Sequence, residues 1–120
     1  MGLTHVTVSI QAVHDSGSTY EADFLVDTGA SDSMASGSEL EKAGFRPIGK
    51  MAYELADGTV KEYPFGLAVI RFMGEVTAGR IIFGPAGAEP ILGVTALESV
   101  GILVDPANKT LKRLPAVPLK

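Results

Sequence analysis

The stretch FLVDTGAS (24–31) runs three apolar residues straight into an aspartate, a threonine and a glycine. An ionised carboxylate is costly to bury without partners, so Asp27 is either a surface cap or a group kept for proton transfer. Other chemistries lack their residues. The chain contains no cysteine, which excludes thiolate nucleophiles, disulfides and Cys-based zinc sites. His5 falls in a strand pattern and His14 beside a turn, neither near a candidate serine, and there is no G-x-S-x-G elbow. Asp15, Glu21 and Asp23 have no metal-ligand spacing and read as a solvated face. GPAG (84–87) lacks the flanking helices and basic residues of an RNA-clamping GxxG loop.

The surrounding elements must position that carboxylate. In THVTVSIQAV (4–13), Val6, Val8, Ile10 and Ala12 alternate with Thr7, Ser9 and Gln11, which predicts a half-buried strand. HDSGS (14–18) is a turn. A second strand then sets Tyr20, Ala22, Phe24 and Val26 on one face and Thr19, Glu21 and Asp23 on the other, so Asp27 falls just past its end, at a loop mouth. SGSELEKAGF (36–45) predicts a short helix with Ser36 and Glu39 at capping-box spacing and Gly44 as left-handed C-cap. MAYELADGTVKEY (51–63) predicts a hairpin with Asp57-Gly58 at its tip. Strands are expected at 65–73 and 76–83, followed by the loop GPAGAEP (84–90), the apolar pair and glycine ILG (91–93), a helix in TALESVG (95–101) and a hairpin over DPAN (105–108).

One internal echo stands out: SELEKAGF (38–45) and TALESVGI (95–102) share Leu40/Leu97, Glu41/Glu98 and Gly44/Gly101, and each follows an apolar run ending at a glycine. The chain reads as two related halves, of which only the first carries an acid in its loop. At 120 residues, 46% hydrophobic and 20% charged, it is expected to be one soluble globular domain over 1–120. A formal charge of −4 argues against a nucleic-acid partner. The basic concentration Lys109, Lys112, Arg113 and Lys120 reads as a solvated or edge-protecting tail. No apolar run is long enough to span a bilayer, no secretory signal pattern is visible, and MGLTHV fails the myristoylation pattern at Val6. The expected setting is cytoplasmic, with no membrane partner.

DTGAS (27–31), the helix after it, the mid-chain hairpin and ILG before the last helix together resemble the retropepsin-like aspartic proteases, the single-domain family that includes the retroviral enzymes. The resemblance implies an all-β (mostly β) closed-barrel, acid-protease fold with one or two short helices. It also implies a homodimer with one catalytic Asp27 from each subunit, acting on peptide or protein substrates without metal or other cofactor. The activity implied is that of an aspartic endopeptidase, a hydrolase; the alternative is a catalytically silent retropepsin-fold module for dimerisation or peptide binding. Thr28 would lock the two loops through hydroxyl bonds across the dimer, Gly29 would let substrate backbone approach, and Ala30 would lie beside the Asp27 carboxylate. Residues 55–60, among them Leu55, Ala56, Asp57, Gly58 and Thr59, would form the flap over bound peptide.

Three features depart from the viral pattern. Ser31 and Val94 stand where many viral relatives carry an acid and an arginine, so the loop must be braced differently. The flap tip has fewer glycines. Pro115 and Pro118 in the tail cannot donate ladder hydrogen bonds, unlike the interleaved terminal strands of the viral enzymes.

Overall fold

The computed structural model describes residues 4–14 and 17–119. Asp15 and Ser16 of the expected turn, Lys120 of the basic tail and the first three residues lie outside the described residues. The elements in chain order are β1 (His5–Ala12), β2 (Thr19–Asp27), β3 (Ser33–Ser36), α1 (Gly37–Lys42), β4 (Gly49–Glu54), β5 (Val60–Phe72), β6 (Glu75–Gly84), β7 (Ile91–Gly93), α2 (Val94–Ser99), β8 (Ile102–Asp105) and β9 (Thr110–Arg113). The hydrogen-bonded order β1-β2-β7-β3-β6-β5 closes on itself, because β1 also pairs with β5, giving a six-stranded barrel. β4 hangs on β5 outside this closure, and β8 and β9 form a separate hairpin. Among the described residues, no helix is long and apolar enough to cross a membrane.

The barrel follows from the alternation in its strands. Val8, Ile10 and Ala12 of β1 and Phe24 and Val26 of β2 are buried, whereas Thr19, Glu21 and Asp23 face solvent. Ile10, Phe24, Ile70 and Leu92 meet inside, and the echoed pair Leu40 and Leu97 plugs the interior from α1 and α2. Burying each of these side chains stabilises the fold by about 2 kcal/mol. The glycines expected to end the two helices have positive φ, 97° at Gly44 and 72° at Gly101, a conformation that L side chains rarely adopt.

Three local details differ from the sequence expectation. The hairpin strand and the strand expected at 65–73 are one 13-residue strand, β5. Pro64 is tolerated inside it because β6 pairs only from Phe65 onward, so the missing N–H costs no ladder bond on that side. β3 carries no alternating apolar signal, since Ser33 and Ser36 are themselves buried in it. The capping box does not form: Ser36 makes no side-chain cap bond, and its hydroxyl lies 2.9 Å from that of Ser38. Arg113, exposed within the basic concentration near the end of the chain, pairs with Glu75 and donates to the Met73 carbonyl, fastening the β8–β9 hairpin to the barrel.

Candidate active site

β2 delivers Asp27 as its last residue, in parallel register opposite Gly93 of β7. Beyond it the chain turns sharply. The Gly29 amide donates to Asp27 Oδ1 at 2.9 Å, and the Ala30 amide to the Asp27 carbonyl at 3.2 Å. A Cβ at Gly29 would sit 3.3 Å from that carboxylate oxygen, so glycine keeps this side of the acid open. The bracing that Ser31 and Val94 cannot supply through side-chain charge comes from backbone. Val94 donates to the Ala30 carbonyl at 2.8 Å and Thr95 to the Ser31 carbonyl at 3.1 Å, while the Gly93 amide donates to the buried Ser33 Oγ at 3.0 Å. The end of β7 and the start of α2 therefore clamp the Asp27 loop.

Asp27 and Ala30 are half-buried, and Thr28 and Gly29 exposed. Asp27, Gly29 and Ala30 form the floor of a cavity of about 310 Å³, roofed by Leu55 and Ala56 of the β4–β5 hairpin and walled by Met34, Ile82 and Ile91. An open cavity with mostly apolar walls and a few convergent polar groups is the usual form of a ligand site. Asp57, Gly58 and Thr59 lie at the hairpin turn and do not line it. There the Thr59 hydroxyl and amide both donate to Asp57 Oδ1, at 2.7 and 3.0 Å, and hold that carboxyl below the usual carboxylate range. Thr28 points to the other side of the loop. It borders a second cavity of about 360 Å³ with Val94, Leu97, Ile102 and Leu103.

A further group in the cleft escapes a reading by sequence. Tyr53 of β4 donates its hydroxyl to Asp32 Oδ2 at 2.6 Å, and Arg80 of β6 lies 3.8 Å from the same oxygen. The Arg80 guanidinium also sits over the Phe65 ring, 5.3 Å from its centroid. Burial, the hydrogen bond to Asp32 and the charge of Asp32 push Tyr53 up to about 12, with Arg80 opposing them. Tyr53 and Asp32 are 21 residues apart, and no motif spacing joins a hairpin tyrosine to a loop acid. The available signal was the place of Asp32, directly after DTGAS.

The sequence model of the family described as Aspartyl protease matches residues 6–96. No curated protein matches the chain. Among solved structures, the fold is similar to that of the EIAV protease in its complex with the inhibitor HBY-793. The TM-score is 0.57 and the identity 21%, over 82% of this chain and 88% of that one. The family match spans β1 to the middle of α2, including the Asp27 loop, the hairpin and the β7 clamp; the chain belongs to the aspartyl protease family.

Proposed function

We propose that the protein is an aspartic endopeptidase that works as a homodimer, with Asp27 of each subunit forming the catalytic pair. The observation that carries this reading is the seat of Asp27, on the floor of the apolar cleft beneath the hairpin, with the Gly29 amide on one carboxylate oxygen. Of the acids lining the cavity, Asp27, Asp32 and Glu54, Asp27 alone ends a barrel strand, and the corresponding position in the second half, opposite it in the sheet, is Gly93. The exposed Thr28 and the neighbouring apolar hollow of Val94, Leu103 and Pro106 present a face on which a second copy would complete the site.

Two carboxyl groups about 3 Å apart cannot both ionise, and aspartic proteases are the standard instance of such a pair sharing one proton. The ionised member takes a proton from a bound water while the neutral member donates to the substrate carbonyl oxygen. Water oxygen bonds to the carbonyl carbon, giving a tetrahedral diol. Collapse of the diol breaks the C–N bond as a carboxyl proton goes to the leaving nitrogen, and a diol hydroxyl returns its proton to the pair. Leu55 and Ala56 over the cavity would exclude bulk water during these steps.

Incubation with casein across a pH series, with and without a statine-type inhibitor, tests the reading. Cleavage that the inhibitor suppresses is the expected result; peptide binding without cleavage would favour the catalytically silent module. Dimer dependence has its own signature. Below the dimer dissociation constant, specific activity should fall about tenfold for each tenfold dilution, by mass action. Constant specific activity together with a monomer mass under assay conditions would contradict the shared site.

Ala30 makes a further difference measurable. Its methyl group cannot donate to Asp27, whereas a serine hydroxyl there could, favouring the ionised carboxylate. Ala30→Ser should therefore move the acid limb of the kcat/KM profile to lower pH, read on one peptide with dimer content checked at each point. The limb reports the coupled pair rather than one residue. A limb that stays put or rises in folded, dimeric protein would rule out this role for position 30.

A further inference from the structure

We propose that Tyr53 and Asp32 tether the β4–β5 hairpin to the floor of its own subunit, so that the flap rests closed over Asp27 in the free protein and both side chains are positioning residues for peptide cleavage. The proposal rests on the peptidase reading for its effect on catalysis, though not for the tether itself. In the sheet β4 has β5 as its neighbour and stands outside the barrel closure. Residues 56–62 of the hairpin are exposed. Ladder hydrogen bonds therefore hold the two hairpin strands to each other without holding the pair down on the cleft.

The Tyr53–Asp32 contact supplies that missing restraint. It joins β4 directly to the residue following DTGAS, and its 2.6 Å length is that of a charge-assisted O–H···O⁻ bond. The acceptor is well shielded, with the Asp32 side chain 10% exposed, so water competes poorly for it. Arg80 offers a compensating charge from β6 and is itself held over Phe65 at the base of the hairpin. Three segments thus meet at one carboxylate, β4, β6 and the Asp27 loop, and β5 joins them through the Phe65 ring beneath Arg80. The elevated Tyr53 keeps its proton, and so its role as donor, across any neutral or acidic working range. Substrate entry would require this bond to open, and its return would press Leu55 and Ala56 onto the bound peptide.

The absence of cysteine from the chain gives a direct assay. Met34 is half-buried and lines the cavity beneath the hairpin, so a single thiol placed there by Met34→Cys reacts with a reagent such as DTNB faster the more the flap opens. Adding Tyr53→Phe, which keeps the ring against Tyr63, should raise the labelling rate about fivefold or more, in proportion to the open population. Asp32→Ala should do the same, and the double variant should exceed neither single by more than about twofold, because both remove one bond. Should Asp32→Ala fail to fold, Asp32→Asn retains an acceptor without the charge and should give an intermediate rate. With cysteine-free protein and dye-labelled casein, Tyr53→Phe should raise KM about fivefold while kcat stays within about twofold. An unchanged labelling rate in folded Tyr53→Phe overturns the tether; a fall in kcat at constant KM overturns the positioning role. If the unaltered protein cleaves no casein, the peptidase reading fails, yet the labelling rates still decide the tether.

Discussion

Asp27→Asn should lower kcat/KM on casein by about 10³-fold or more while the protein keeps its fold and the proposed dimer. General acid–base catalysis by a positioned group is worth roughly 10² to 10⁴, and in a shared pair the substitution disables both members. The amide cannot accept the proton from water, and no proton remains to be shared between two carboxylates. The structural consequences are small. Asn is nearly isosteric, its carbonyl oxygen can still accept from the Gly29 amide, and the backbone bond from Ala30 to the carbonyl of residue 27 is untouched. Circular dichroism, sedimentation and turnover on one preparation separate lost chemistry from lost structure. Unaltered cleavage by a pure variant would exclude the aspartic mechanism and return Asp27 to the role of a loop residue.

How much of this arrangement the sequence discloses depends on which force fixes each part. β1 and β2 are legible because one buried face imposes a two-residue period, as Val8 and Ile10 or Phe24 and Val26 do. The ends of both helices are legible because Gly44 and Gly101 occupy backbone conformations that few other residues accept. β3 is not, because its place is set by hydrogen bonds rather than by apolar period: the buried Ser33 accepts from the Gly93 amide of the neighbouring strand. Hydroxyl-rich SDSMAS (31–36) has no apolar period, and the distant ladder with Ile81–Gly84 of β6, with the Gly93 bond beside it, makes residues 33–36 a strand. The capping box fails for a related reason. Ser36 satisfies the spacing, but it also ends β3, and its hydroxyl engages Ser38 instead. Within the site, Asp27 and the loop after it are conspicuous from residue types alone. The Tyr53–Asp32–Arg80 group is not, since it exists only once the hairpin has folded back over the loop.

Gly93→Ala should unfold the clamp behind Asp27, lowering Tm by about 15 °C and, where the protein is still folded, kcat/KM by about 10². The effect is steric. Gly93 has φ −82° and ψ 166°, extended backbone open to any residue, but it is wedged between Asp27 of β2 and the 31–33 turn. A Cβ here would lie 2.6 Å from the Asp32 carbonyl carbon, 2.7 Å from the Asp32 oxygen and 2.7 Å from the Ser31 oxygen. These are backbone atoms, which cannot swing away as a side-chain end can. Relief requires the loop to move off β7 and α2, stretching the bonds from Gly93 to Ser33 and from Thr95 to Ser31. Overpacking costs about 1–3 kcal/mol, and each hydrogen bond lost adds about 1 kcal/mol, for a total of roughly 4 kcal/mol. At about 4 °C per kcal/mol for a domain of this size, the Tm shift follows. The activity loss follows from geometry, since displacing a reacting group by about 1 Å costs on the order of 10² in rate. Gly79→Ala is the matched control. A Cβ there meets nothing within 4 Å and the residue has no positive φ, so its Tm should stay within about 2 °C of the unaltered protein. Equal melting temperatures for the two variants would show that the Asp27 loop yields freely, and that the clamp of β7 and α2 does not hold it.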